Sequence, residues 1–177
     1  MTLAQLYAAR KQIGEAEREF KQALALRSDL PVTWFGMARF YVAQGRVAEA
    51  REYAATAARL ARRPASEYCL LGQIDLALHE PEHALEDYAK AQQAVLAWRG
   101  WQEQNRESFA LIAEGRAAAY AVLRDWPHAI EAQQEATRRT PENIDRWETL
   151  ADIYDDAGDR KHALEAHEHA VAISSKN

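Results

Sequence analysis

Alanine returns in this chain at a regular interval. Ala16, Ala50 and Ala84 are spaced 34 residues apart, and after one step of 45 residues Ala129 and Ala163 repeat the interval of 34. A second set of alanines follows seven residues behind the first, which places both members of each pair on one face of a helix. A period of 34 with helical patterning predicts stacked helical hairpins, in which each unit buries its apolar face against its neighbours.

The alanines and the prolines together divide the chain into five pairs of helices. All five prolines fall at or near predicted helix starts, where a missing N–H costs no hydrogen bond. The predicted helices cover residues 2–12 and 15–27, 31–43 and 47–61, 66–78 and 82–98, 103–123 and 127–139, and 142–156 and 160–174. We expect one domain over residues 1–177, with units at about 1–30, 31–63, 64–98, 99–140 and 141–174.

Large residues recur opposite these small ones. Tyr7, Tyr41, Tyr120 and Tyr154 occupy one position of the first helix in each pair, and Asp75 interrupts this pattern in the third unit. Rings that face alanines of the paired helix allow the two backbones to approach closely without leaving voids. Bulky residues packed against small ones are therefore the expected form of the core.

These positions resemble the motif of tetratricopeptide repeat proteins. The motif of the second unit is Trp34, Met37, Ala38, Tyr41, Gly45, Ala50 and Ala57, and that of the fifth is Trp147, Leu150, Ala151, Tyr154, Gly158, Ala163 and Ala170. The resemblance implies an all-α fold, a right-handed α-solenoid of five tetratricopeptide helix–turn–helix units. The fourth unit departs from the motif, because Ala113 replaces an aromatic residue and Arg116 occupies a normally apolar position.

The single step of 45 residues adds eleven residues between Ala91 and Ala113. No proline interrupts this stretch, so we expect an elongated hairpin between the third and fourth units, made by extending the two flanking helices. Trp98, Trp101 and Phe109 lie in it. They form either a binding hot spot for a partner or the packing that holds the two extensions together.

The resemblance also implies a concave groove, lined by the first helix of each pair, that accepts a peptide or a protein segment. The residues that helical spacing places on this face are Phe35, Arg39, Val42, Cys69, Gln73, Leu76, Glu114, Asp145, Glu148, Asp152 and Asp155. The second and third units contribute a mixed, fairly apolar half, whereas the fifth contributes a stripe of carboxylates. This stripe predicts either a partner with basic residues or a merely solubilising acidic surface.

Composition excludes several classes of function. A formal net charge of -5 disfavours nucleic acid as a partner, since such binding depends on neutralising phosphates. No apolar run approaches the roughly 20 residues that a membrane-spanning helix needs, so membrane insertion is not expected. A single cysteine, Cys69, excludes an internal disulfide and suits a reducing compartment. We therefore expect a cytoplasmic protein, with a soluble fragment of a larger or membrane-anchored protein as the alternative.

The sequence shows no constellation typical of an enzyme. His83, His128 and His162 occupy the same position in three units, which indicates a shared structural role, and we expect no catalytic residue, metal or cofactor. The predicted function is a non-catalytic protein-interaction module. The alternative is a structural assembly scaffold, or a fragment of a larger protein that associates with itself through open ends or serves as the recognition arm of a multidomain enzyme.

Overall fold

A computed structural model describes residues 3–97 and 105–175, and within these ranges it contains ten helices and no strand. The helices are α1 (Leu3–Ala9), α2 (Ile13–Leu26), α3 (Pro31–Ala43), α4 (Val47–Leu60), α5 (Ala65–Ala77), α6 (Pro81–Leu96), α7 (Arg106–Val122), α8 (Trp126–Arg139), α9 (Ile144–Asp156) and α10 (Arg160–Ser174). Each helix contacts the next along the chain. The all-helical solenoid predicted from the sequence is confirmed, and each helix begins and ends close to its predicted bounds.

Proline and glycine mark the ends of several helices as expected. Pro31 and Pro81 are the first residues of α3 and α6, where no hydrogen-bond partner is lost. Gly45 and Gly158 follow α3 and α9 with φ of 72° and 83°, a left-handed conformation that favours glycine. Pro141 lies in the turn that precedes α9, three residues before the first residue of that helix.

The three repeated histidines share a structural role at helix starts. Each imidazole Nδ1 lies within hydrogen-bonding distance of the carboxylate three residues earlier: His83 of Glu80 at 3.0 Å, His128 of Asp125 at 2.7 Å, and His162 of Asp159 at 2.6 Å. The rings of His128 and His162 also stack on Tyr120 and Tyr154. These contacts stabilise the first turns of the second helices and confirm the structural interpretation of the pattern.

The two alanine sets form the seams between helices. All ten alanines are buried except Ala23, which is half-buried. Tyr41 and Tyr154 are buried at the aromatic position, while Tyr7 and Tyr120 are partly buried. Small side chains at the seams let the helix axes approach, and the rings fill the remaining space.

Tyr88 shows how tightly these helices pack. Its buried ring lies between Gly72 of α5 and Gly115 of α7; a Cβ atom on Gly72 would lie 2.7 Å from Tyr88 Cζ, and one on Gly115 would overlap the ring. In the preceding unit the positions of Tyr88 and Gly115 are taken by Ala54 and Leu70, so the large and small residues have exchanged helices.

Asp75 takes the place of the aromatic residue in the third unit. Its side chain is fully buried, and Oδ1 accepts a hydrogen bond of 2.7 Å from Nε of Arg51 on α4. Its other oxygen, Oδ2, has no hydrogen-bond partner within the described residues. Burial raises the pKa of Asp75 above its ordinary value, and the Arg51 guanidinium opposes this shift only in part.

A substitution at Gly115 tests the close packing around Tyr88. We expect Gly115→Ala to lower the free energy of unfolding by about 1–3 kcal/mol, because the Tyr88 ring must move away from the new methyl group. Gly14 in α2 is the matched control, since no atom lies within 4 Å of a Cβ placed there. Gly14→Ala should be neutral or stabilising by up to about 1 kcal/mol in the same urea titration. Equal stability of the two variants would contradict the packing interpretation.

A substitution at Arg51 tests the buried ion pair. We expect Arg51→Met to lower the free energy of unfolding by about 2–3 kcal/mol at neutral pH, because it leaves the Asp75 carboxylate buried without a cation. Arg59→Met, at an exposed position of the same helix, should change stability by less than about 0.5 kcal/mol.

The loss caused by Arg51→Met should also depend on pH. The raised pKa of Asp75 means that the folded state binds this proton more tightly than the unfolded state does. The free energy of unfolding therefore falls as the pH rises from about 4 through the raised pKa that Asp75 has in the folded state. Removing Arg51 raises the folded-state pKa of Asp75 further. Urea unfolding should therefore show a smaller loss of unfolding free energy at about pH 5 than at about pH 8. A loss independent of pH would assign the effect to packing instead.

Candidate functional site

The first helices of the pairs form a continuous surface. The backbone of α3 approaches that of α5, and the backbone of α5 approaches that of α7. The exposed sides of α1, α3, α5, α7 and α9 are called the first-helix groove below. This surface carries the residues that helical spacing assigned to partner binding.

The first-helix groove contains two adjoining depressions. One has a volume of about 270 Å³ and is formed by α3, α5 and α7 together with Val95 at the end of α6. The other has a volume of about 300 Å³ and is formed by α1, α2 and α3. Phe35 and Arg39 line both depressions, so they occupy the centre of this half of the groove.

Four of the predicted groove residues meet at the first depression: Phe35, Arg39, Cys69 and Gln73. Val42 and Leu76 belong to the same helices but line neither depression; Val42 is exposed and Leu76 packs partly against the core. The depression is completed by α7, which contributes Ser108, Leu111 and Ile112. The sequence analysis missed these three residues, because the 45-residue step obscured the register of α7.

Cys69 is a weakly reactive thiol in this environment. Burial, and to a lesser extent the nearby charge of Glu67, raises the pKa of Cys69 to about 11. The thiol is therefore protonated at neutral pH, whereas nucleophilic cysteines require the thiolate. Its side chain contributes to the lining of the groove as a small apolar group.

Glu114, another predicted groove residue, belongs to an ion-pair network between α7 and α9. Arg146, only 3% exposed, lies at its centre. Its guanidinium donates to Glu107 at 2.6 Å and to Glu114 at 3.2 Å, and also to the hydroxyl of Thr140 at 2.6 Å. The Arg146 guanidinium lowers the pKa of Glu107 below its ordinary range. Glu114 therefore helps to hold α9 against α7.

Sequence reasoning missed Arg146, although a signal for it exists. Glu107 and Glu114 are seven residues apart, which places them two turns apart on one face of α7. Arg146 follows at the start of the next first helix. Two carboxylates spaced in this way can both accept hydrogen bonds from one basic residue of the next unit, as Glu107 and Glu114 do from Arg146.

The other predicted carboxylates remain available to a partner. Asp145, Glu148, Asp152 and Asp155 follow one another along an exposed face of α9 at steps of three and four residues. Within the described part of the chain, none of these four side chains forms an ion pair. They are called the acidic stripe below.

Only one member of the predicted hairpin cluster can be placed. Trp98 and Trp101 lie outside the described residues, so the tip of the hairpin stays a prediction. Phe109 is 8% exposed and packs in the core shared by α6 and α7, with the Arg139 guanidinium 4.7 Å from its ring centre. Its placement agrees with the packing alternative and leaves little of its ring for direct contact with a partner.

Two of the three histidines of α10 stack on aromatic rings. The ring of His169 stacks on Trp147 with centroids 4.5 Å apart, and that of His162 stacks on Tyr154. In residues 3–97 and 105–175, no group of three or more His, Cys, Asp or Glu side chains is arranged to hold a metal ion. Likewise, no helix in these ranges is both long and apolar enough to cross a bilayer.

Comparison with known proteins agrees with this architecture. The family model described as tetratricopeptide repeat matches residues 7–74. No curated protein sequence matches the chain. The match and the helical solenoid together confirm the predicted resemblance to tetratricopeptide repeat proteins, a class of protein–protein interaction modules.

Three solved structures illustrate the likeness. MamA from Desulfovibrio magneticus RS-1, from residue 41 to its end, has 19% identity and a TM-score of 0.80, with 99% of this chain and 93% of that chain covered. BtubC from P. vanneervenii has 18% identity and a TM-score of 0.85, with 98% and 78% covered. YrrB, described as a TPR protein with an unusual peptide-binding site, has 20% identity and a TM-score of 0.68, with 96% and 82% covered. At these identities the likeness shows a shared fold.

Proposed function

We propose that this tetratricopeptide repeat chain is a non-catalytic module that binds a segment of another protein in the first-helix groove. The observation that carries the proposal is the depression between α3, α5 and α7, where apolar side chains and polar groups from three successive first helices meet. Such a site can accept one apolar side chain of a partner, while the neighbouring polar groups orient its backbone. YrrB, a structural neighbour described as having a peptide-binding site, lends support by analogy.

The charges along the groove suggest the chemistry of the bound segment. Arg39, exposed beside the apolar depression, can donate to a carbonyl or a carboxylate of the segment. The acidic stripe lies on α9, at the other end of the groove, and none of its members forms an ion pair within the described residues. We therefore expect a segment with an apolar residue for the depression and Lys or Arg residues for the stripe.

The proposal includes no catalytic step and no cofactor. Cys69, the one thiol of the groove, is held protonated by burial and is unsuited to nucleophilic attack. Residues 1–177 act as one interaction domain in this proposal. The single cysteine suits a cytoplasmic location, where thiols stay reduced.

An assembly scaffold is the second candidate, because one end of the described solenoid exposes apolar side chains. Leu164 and Val171 on α10 are 61% and 68% exposed. One period earlier, the equivalent residues Ile130 and Thr137 are covered at least in part, since they face the following helix pair. Another protein surface, including a second copy of this chain, could cover the same face of α10.

Charge reversal in the acidic stripe tests the proposed groove. We expect Asp152→Lys with Asp155→Lys to weaken binding of a fluorescein-labelled peptide of lysines and one leucine by about tenfold, since each exposed ion pair contributes up to about 1 kcal/mol. Binding to the variant should also be less sensitive to salt. Fluorescence anisotropy at low and high ionic strength measures both effects.

The matched control changes the net charge equally on the second helices. Glu131 on α8 and Glu168 on α10 are exposed carboxylates outside the groove. Glu131→Lys with Glu168→Lys should leave the affinity for the lysine peptide within about twofold. If the stripe and control variants bind equally well, the groove does not recognise basic residues.

Sedimentation velocity separates the module from the scaffold. For the module, we expect one species whose sedimentation coefficient does not change over a wide range of protein concentration. Association that is abolished by Leu164→Glu with Val171→Glu would instead establish the scaffold, because these changes place charges on the exposed face of α10.

A further inference from the structure

The second helices form another groove, on the α4 and α6 side of the molecule. Two depressions with volumes of about 610 and 490 Å³ adjoin there, and both are lined by Tyr68 and Lys90. The first is formed by α4, α5 and α6, and the second by the turn between α4 and α5 together with α6. This surface, called the α4–α6 groove below, shares no lining residue with the depressions of the first-helix groove.

The α4–α6 groove has an apolar floor and a cationic rim. Alanines of α4 and α6, Leu71 and the Tyr68 ring form the floor. The lining includes five cations and two carboxylates, an excess of positive charge in a chain whose net charge is -5. The cations are Arg51, Arg59, Arg62, Arg63 and Lys90.

Three of these cations, Arg51, Arg63 and Lys90, already have partners. Arg51 holds the buried Asp75, and Lys90 lies 2.6 Å from Asp87 and 5.6 Å from the centre of the Tyr68 ring. Arg59 and Arg62 are exposed, and within the described residues neither forms an ion pair. Arg59 lies in the last turn of α4, where its positive charge interacts favourably with the negative end of the helix dipole. Arg62 lies beyond the helix end, so the dipole does not explain it.

The repeat supplies an internal comparison. A groove of the same form lies between α8 and α10, with a volume of about 380 Å³, and Trp147 and Leu150 take the places of Tyr68 and Leu71. Of the five cations, only Arg59 has an arginine or lysine at its equivalent position there, and none has one in the unit before. The equivalents of Arg59, Arg62, Arg63 and Lys90 are Arg138, Pro141, Glu142 and His169 there, and Ala25, Ser28, Asp29 and Thr56 one unit earlier.

Packing of the repeat therefore does not require arginine or lysine at the positions of Arg59 and Arg62. The same seam forms with Ala25 and Ser28 at these positions one unit earlier, and with Arg138 and Pro141 between α8 and α10. A cationic rim around an apolar floor is suited to a ligand that carries carboxylates and at least one apolar side chain.

We propose that the α4–α6 groove is a second docking surface, for an acidic protein segment that carries an aromatic or aliphatic residue. Carboxylates of the segment pair with Arg59 and Arg62, while its apolar residue packs between Tyr68 and the alanines of the floor. Glu52 and Asp87 in the lining disfavour a polyphosphate, which needs cations along its whole path. With the first-helix groove, this surface would let one chain hold two segments of opposite charge.

Charge reversal on the rim tests the proposal. The probe is a fluorescein-labelled peptide of glutamates around one phenylalanine, measured by fluorescence anisotropy. We expect Arg59→Glu with Arg62→Glu to weaken its binding by about tenfold or more, because two attractions become repulsions. The affinity of the unsubstituted chain should fall as salt is added.

The control variant makes the same charge change at one position of the equivalent groove and one exposed position of α10. Arg138→Glu, at the position equivalent to Arg59, combined with Arg160→Glu at an exposed position of α10, should leave the affinity for the acidic peptide within about twofold. Asp152→Lys with Asp155→Lys should not weaken this binding either, which separates failure of this surface from failure of the first-helix groove. Thermal unfolding followed by circular dichroism checks that the variants remain folded.

Two results would overturn the proposal. Equal binding of the acidic peptide by the Arg59/Arg62 and Arg138/Arg160 variants would show that the rim does not recognise carboxylates. Displacement of the peptide by duplex DNA or by phosphatidylserine vesicles at lower concentrations than by unlabelled peptide would assign the groove to a polyanion or a membrane surface.

Discussion

Close approach of helix backbones is the constraint on which this solenoid depends. A hairpin of two helices has too little interior of its own, so each pair must bury its apolar residues against the next pair. The alanines that recur every 34 residues keep the helices close, and rings such as Tyr41 fill the space beside them. At Tyr88 the approach is close enough that both facing positions, Gly72 and Gly115, lack a side chain. At this seam the large side chain lies on α6, whereas one unit earlier it is Leu70 of α5.

Residues that depart from the repeat can be interpreted by comparison with the equivalent positions of the other units. Asp75 replaces a ring, and the structure compensates with Arg51 from the preceding helix. Arg146 joins α9 to two carboxylates of α7. Arg59 and Arg62 form no ion pair among the described residues, and only Arg59 has a cationic counterpart in the equivalent groove, which favours a role in binding. A repeat protein thus provides its own reference for separating residues that pack from residues that bind.

Much of the fold and part of the candidate site could be predicted because both depend on local periodicity. Helical spacing placed Phe35, Arg39, Cys69 and Gln73 on one face, and these residues meet at one depression. The shared position of the three histidines identified them as structural residues, as their contacts with helix-start carboxylates confirm. Prediction was weaker where the period changes. The step of 45 residues concealed the contribution of Leu111 to the groove. It also allowed Phe109 to be either a binding residue or a packing residue, and the burial of its side chain favours packing.

The sequence by itself determined the architecture and the face on which each residue lies, because a constant period translates directly into helix positions along a solenoid. Only the tertiary structure decided which charges are engaged. Glu114 and the acidic stripe are equivalent by helical spacing, yet Glu114 meets Arg146, 32 residues away, while the stripe meets no cation among the described residues. The same holds for Arg51 and Arg59, two turns apart on α4, of which only Arg51 reaches a buried carboxylate. Ion pairs between helices depend on how the helices pack against one another, and the periodicity of the sequence does not specify that packing.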